Sequence, residues 1–190
     1  MNREQAGEIK NDRRSYHRNM PSNIEIKAIL RNREHVETIA AQLSDVGPQL
    51  IYQEDYFFHS QAARLKLRIL GPNRGELIRY ERSDVGDALC SRYLIARTPD
   101  PLILLEILTK TLDGAGVVKK ERTLYLIGQT RVHLDRVADL GDFLELEVVL
   151  RPGQSEAEGR TIADALLSTL KIDRKELLGK AYIDLLLRQS

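Results

Sequence analysis

Cysteine is almost missing from this chain, with Cys90 alone among 190 residues. That excludes an intrachain disulfide framework and fits a reducing compartment, so a cytoplasmic location is expected. No apolar run approaches the roughly 20 residues that span a bilayer, and no membrane partner is expected. Residues 1–21 lack the apolar centre of a secretory signal. With Arg13, Arg14, His17 and Arg18 they read as a flexible basic tail before the folded part. A dominant charge sign is missing too, since 29 Lys and Arg stand against 28 Asp and Glu. General attraction to polyanions therefore has no basis, sequence-specific nucleic-acid binding is not expected, and any anion site must come from local arrangement. With no internal repeat, low-complexity block or linker, residues 22–190 are expected to form one domain.

What the sequence does have is alternation. In Asn23-Ile24-Glu25-Ile26-Lys27 the β-branched residues share one side of a strand and the polar ones the other. Further strands are expected over Ile51–His59, Ala63–Leu70, Glu76–Arg82, Cys90–Arg97, Val117–Ile127, Thr130–Val137 and Phe143–Leu150. Helices are expected at Arg33–Ser44, stopped by Gly47-Pro48, and at Pro101–Leu112, which carries Leu104, Leu105, Leu108 and Leu112 and is expected to face the core over Leu102–Leu108. Ser155-Glu156-Ala157-Glu158 is a capping-box signature opening a third helix, and a last one is expected from about Lys175 to Leu187. Strands joined mostly by tight turns make the class α+β, with an antiparallel sheet.

The polar strand faces are repetitive. Glu25 and Lys27 lie two apart, as do Arg64, Lys66 and Arg68, Lys120 and Arg122, Arg131, His133 and Asp135, and Glu145 and Glu147. On any single strand such a set is ordinary wet surface. The opposite faces, however, are firmly apolar (Ile24, Ile26; Leu65, Leu67; Leu144, Leu146, Val148). If these pack under helices, the charged faces converge inside a closed eight-stranded barrel, which has room for side chains or one small ligand. Buried cations in that number call for a multiply charged anion, and phosphate fits the guanidinium fork. Glu25, Asp135, Glu145 and Glu147 suit Mg²⁺ or Mn²⁺, which bridges to phosphate oxygens.

Six segments in order carry a resemblance: Asn23-Ile-Glu-Ile-Lys27, Gln53-Glu-Asp-Tyr-Phe57, Arg64-Leu-Lys-Leu-Arg68, Val118-Lys-Lys-Glu-Arg122, Arg131-Val-His-Leu-Asp135 and Gly141-Asp-Phe-Leu-Glu-Leu-Glu147. Together with Ala181-Tyr182-Ile183-Asp184-Leu185-Leu186 they make the chain, over about residues 22–187, similar to the CYTH superfamily. These are the class IV adenylyl cyclases and thiamine triphosphatases, or triphosphate tunnel metalloenzymes. The resemblance implies a closed antiparallel β-tunnel with flanking helices, Mg²⁺ or Mn²⁺, and a small-molecule triphosphate substrate. It implies triphosphate contacts from Lys27, Arg64, Lys66, Arg68, Lys120, Arg122 and Arg131, catalysis at Glu25, Lys27 and Arg122, and metal at Glu25, Asp135, Glu145 and Glu147.

The sequence departs from the family's Glu-x-Glu-x-Lys opening at Asn23, which removes one negative charge from the metal seat. Tyr80 stands where many members carry Lys, and Arg82, two residues on, is the substitute cation. Three functions are open at this point. The first is a metal-dependent hydrolase of inorganic, nucleoside or thiamine triphosphate. The others are a class IV-type adenylyl cyclase converting ATP to cyclic AMP and pyrophosphate, and a polyphosphate or nucleotide binder without turnover. A homodimer is also left open. His59 and His133 read as structural, Cys90 as inert packing, and Gly71-Pro72-Asn73-Arg74-Gly75 as a hairpin turn.

Overall fold

The computed structural model describes residues 22–60, 63–82 and 88–188. The basic tail, residues 83–87 and the side chain of Arg82 lie outside what is described. The alternating segments form eight strands: β1 (Ser22–Ile29), β2 (Val46–Phe58), β3 (Arg64–Gly71), β4 (Arg74–Arg82), β5 (Ala88–Thr98), β6 (Gly114–Ile127), β7 (Thr130–Val137) and β8 (Gly141–Val149). They close into a barrel in the order β1-β5-β4-β3-β2-β6-β7-β8, with every neighbouring pair antiparallel. Closure leaves no edge, and period-two alternation gives each strand one inward and one outward face.

The outward apolar faces of β1, β7 and β8 are covered by helices. Ile24, Ile26 and Ala28 of β1, Val132 and Leu134 of β7, and Leu144, Leu146 and Val148 of β8 form one core. Val36 and Ala40 of α1 (Arg33–Leu43) and Ala163 and Leu167 of α3 (Glu156–Thr169) complete it. α1 is capped by Asn32, whose side chain accepts from the His35 amide at 3.2 Å. α3 opens on the expected capping box: Ser155 Oγ accepts from the Glu158 amide at 3.3 Å, and the Ser155 amide donates to Glu158 Oε2 at 2.8 Å. Gly159 in its first turns lets the helix lie against β1, because a Cβ there would stand 2.7 Å from Ile24 Cγ1 and 2.5 Å from Leu150 Cδ2. α2 (Pro101–Thr111) half-buries Leu104, Leu105, Leu108 and Leu112 as expected but leaves Leu102, Ile103 and Ile107 exposed.

Two boundaries differ from the sequence expectation. Gly47-Pro48 does not merely stop α1; it lies inside β2 at a shift of register between Val46 and Gln49. Gly47 has φ +140, and a Cβ would meet the Leu124 carbonyl oxygen at 2.9 Å, so glycine is what lets β2 start this early. The C-terminal helix is broken. Asp173 caps a 3-10 turn (Arg174–Glu176), after which the Leu178 amide donates to the Lys27 carbonyl at 2.8 Å. That bond carries the chain across one end of the barrel before helix resumes as α4 (Tyr182–Leu186).

Candidate active site in the barrel interior

α4 stops one end of the barrel. Its Tyr182 and Ile183, with Ala181, pack against Phe57, Val118, Val137 and Phe143, which lie toward that end of β2, β6, β7 and β8. The Tyr182 and Phe143 rings sit 5.0 Å apart. Above this plug is a cavity of about 410 Å³, lined from all eight strands.

One wall is cationic. Asp55 of β2 accepts from Lys66 Nζ at 2.8 Å and from Arg68 Nε and Nη2 at 2.8 and 3.2 Å, both on the adjacent β3. Asp135 of β7 repeats the motif with β6, taking Arg122 Nε and Nη2 at 2.6 Å each and Lys120 Nζ at 3.1 Å. The Tyr182 hydroxyl donates to the same carboxylate at 3.0 Å, and its ring lies beneath Lys27 and Lys120 at 4.4 and 4.8 Å. Each aspartate thus serves two cations, so the wall keeps positive charge in excess.

The other wall is acidic. Glu25 of β1 is the direct cross-strand partner of Glu147 on β8, and Lys27 that of Glu145. Lys27 Nζ bridges Glu25 and Glu145 at 3.1 and 3.0 Å. Glu145 also meets Arg122 at 3.3 Å, which links the two walls. Glu147 accepts from Arg131 Nη1 at 3.1 Å and from the Asn23 amide group.

Burial and charge act against each other at every group. Burial alone raises the Asp55 carboxyl, but Arg68 and Lys66 outweigh it and hold it well below the usual range. Glu145 is likewise held well below by Lys27 and Arg122 against its own burial. Lys66 goes the other way: burial, with Arg68 and Lys120 nearby, lowers it to about 8 despite Asp55. Lys120 is lowered by burial and Arg122. His133 is lowered by burial and Arg122, so it is neutral at pH 7; its Nδ1 stands 3.4 Å from Glu145 Oε1 without hydrogen-bond alignment.

Among the described residues, no three His, Cys, Asp or Glu side chains are already gathered in ligating positions. The acidic wall nevertheless fits a hard divalent cation. Glu25 and Glu147 face each other across one strand pair, each paired with a cation, Lys27 and Arg131, so their carboxylate oxygens lie together on one side of the cavity. Beside them Asn23 Oδ1 is a buried acceptor with no hydrogen-bond donor. Carboxylate and amide oxygens are the donors that Mg²⁺ and Mn²⁺ take.

The sequence matches the CYTH domain family over residues 22–182. The chain belongs to that family. Its fold is shared with a Pyrococcus horikoshii OT3 protein at a TM-score of 0.75 and 24% identity, covering 86% of this chain and 98% of the other. An adenylate cyclase candidate from Vibrio parahaemolyticus aligns at a TM-score of 0.76 and 17% identity, covering 89% and 99%. A Hippeastrum adenylyl cyclase candidate, described as having a dominant triphosphatase activity, aligns at 0.61 and 16%, covering 88% and 96%. Comparison with curated proteins gave no match.

Most of the residues singled out from the CYTH motifs meet in this one cavity: Glu25, Lys27, Lys66, Arg68, Lys120, Arg122, Arg131, Glu145 and Glu147 all line it. Two do not. Asp135 has no exposed surface, and both its oxygens are taken by Arg122, Lys120 and Tyr182. Arg64 forms a bidentate pair with Asp184 of α4 at 3.1 and 2.9 Å, fastening the plug. His133, read as structural, lines the cavity beside Glu145. Asp55, which holds Lys66 and Arg68, and Tyr182, which bonds Asp135, are cavity-lining residues to which the sequence reading gave no role. For Asp55 the signal was available, since Gln53, Asp55 and Phe57 alternate on a strand next to Lys66 and Arg68.

Proposed function

We propose that this CYTH protein is a divalent-metal-dependent hydrolase of triphosphate-bearing substrates. The observation that carries the reading is that one cavity holds a cationic wall (Lys66, Arg68, Lys120, Arg122) facing an acidic wall (Glu25, Glu145, Glu147). A cationic wall alone would suit any anion; the facing carboxylates are explained by a metal that joins them to the phosphate. Glu25, Glu145 and Glu147 would hold Mg²⁺ or Mn²⁺, which when bound polarises phosphate oxygens and neutralises developing charge. Asp55 and Asp135 hold the Arg68 and Arg122 guanidiniums with two bonds each, so these forks are aimed before substrate arrives. Lys27 and Arg122, which touch both the carboxylates and the cavity, stabilise charge on the transferred group.

The test is turnover of inorganic triphosphate, ATP and thiamine triphosphate with Mg²⁺ and with Mn²⁺. Phosphate release that needs the metal and is lost in Glu145→Gln and Glu147→Gln supports the reading. Unchanged turnover in both variants refutes the metal seat. Cyclic AMP and pyrophosphate from ATP would instead establish the cyclase reading, to which the names of the Vibrio and Hippeastrum proteins point. Tight triphosphate binding without products under either metal would establish a binder.

A further inference from the structure

Helices α1, α2 and α3 meet the barrel differently. α1 and α3 turn apolar residues to the sheet and present Glu34, Glu156, Glu158 and Asp164 to water. α2 has no polar side of that kind. It lies over β3 and β4 with Leu104, Leu105 and Leu108 half-buried, yet Leu102, Ile103 and Ile107 are 58, 61 and 55% exposed. A helix that is apolar all round is normally covered all round.

α2 cannot sink or roll to cover this face itself. A Cβ on Gly75 of β4 would stand 2.5 Å from Pro101 Cβ, so the helix start already touches the strand, and the Asp100 amide is held by Thr98 Oγ1 at 3.1 Å. Leu94 and Ala96, exposed on the outer side of the adjoining β5, widen the patch. Residues 1–21 offer one branched aliphatic side chain, Ile9, so the chain's own tail is a poor cover. Glu106 stands within the face, 65% exposed, which weighs against a lipid surface.

The face is, however, complementary to itself. Asp100 stands at its start and makes no side-chain cap bond; Lys110 stands at its end, 73% exposed, where it also pairs with Glu106. When two copies of α2 pair antiparallel about a two-fold at the height of Leu105, Ile103 meets Ile107 of the second copy and Lys110 meets its Asp100. The opposed helix dipoles favour the same orientation.

We infer that α2 is a dimer interface, pairing antiparallel with α2 of a second copy of this chain. The inference is independent of the triphosphatase reading. One helix with its flanks makes a small interface, below about 1,200 Å² in total, so an exchanging dimer is expected.

The test is sedimentation velocity of the full chain from about 1 to about 100 μM, with thermal unfolding as the folding control. The wild type is expected to pass from monomer to dimer over this range. Ile103→Glu and Ile107→Glu should stay monomeric while unfolding as cooperatively as the wild type. Two charge variants test the register. Lys110→Glu alone and Asp100→Lys alone each set like charges together at both ends, and should weaken the dimer about tenfold or more. Mixed one to one, they set opposite charges together at both ends and should dimerise as the wild type does. The charge variants leave the apolar face intact, so they decide the matter even where a glutamate variant does not fold. A wild type that stays monomeric, a dimer that survives Ile103→Glu and Ile107→Glu, or a mixture that associates no better than its components would overturn the pairing.

Discussion

Lys66 gives the sharpest prediction, because one side chain should move activity and stability in opposite directions. It is flanked by Asp55 of β2, Arg68 of its own strand and Lys120 of β6, with the rings of Phe57 and Tyr80 at 5.5 and 5.7 Å. Burial, Arg68 and Lys120 bring it from 10.5 to about 8. That displacement corresponds to about 3 kcal/mol of cost for keeping the ammonium charged there. On the triphosphatase reading, a bound triphosphate would offset this cost and raise the value again. Since kcat/KM reports the free enzyme, it should fall above pH 8, by about tenfold at pH 9, whereas kcat should hold to higher pH. Lys66→Arg keeps its charge throughout and should remove that limb. Stability follows the opposite sign. Between about 8 and 10.5 the unfolded chain holds a proton that the folded chain has released. The substrate-free protein therefore gains stability across this window, and Lys66→Arg does not. The assays are pH profiles of kcat/KM and thermal unfolding at constant ionic strength. A limb near pH 8 that survives in Lys66→Arg refutes the assignment.

Asp135→Asn should cost about 3–5 kcal/mol, because Arg122 and Lys120 lose a buried counter-ion; the measurement is the urea midpoint, and a loss below about 1 kcal/mol would contradict the pairing. Tyr182→Phe keeps the ring beneath Lys27 and Lys120 but removes its bond to Asp135, so a loss of about 1–2 kcal/mol is expected by the same measurement. Gly159→Ala would raise the stability of a free helix, yet here the added methyl meets Leu150 and Ile24; a net loss of about 1–3 kcal/mol in thermal unfolding is expected, and a gain would show that the contact relaxes freely.

The barrel is legible in the sequence wherever an apolar face and a charged face alternate without exception. Glu25-Ile26-Lys27 and Leu144-Glu145-Leu146-Glu147 announce both their strand and its inward side. β2 does not, because Glu54 and Asp55 put acid on both faces, and only the pairing with β3 and β6 shows which of them is inside. Spacing within a strand also cannot tell a ligand-facing cation from one paired at long range. Arg64 shares its face with Lys66 and Arg68 but is engaged by Asp184, 120 residues away. Asp135 has the same pattern as the cavity acids and is enclosed by β6 and α4 instead. The broken C-terminal helix has a similar cause: Leu178 is held by the Lys27 carbonyl, a partner that helical periodicity does not reveal.

The plug formed by α4 has a kinetic consequence. Among the described residues, Tyr182 and Ile183 fill one end of the cavity and Arg64 is bonded to Asp184 there, so access is set by the opposite end. On the triphosphatase reading substrate and products would share that end, and the fragment formed deeper, beside Lys27 and Lys66, would leave only after the shallower one. The deeper product then competes directly with new substrate, and the shallower one inhibits without competing. Product-inhibition patterns thus report which end of the bound chain points inward.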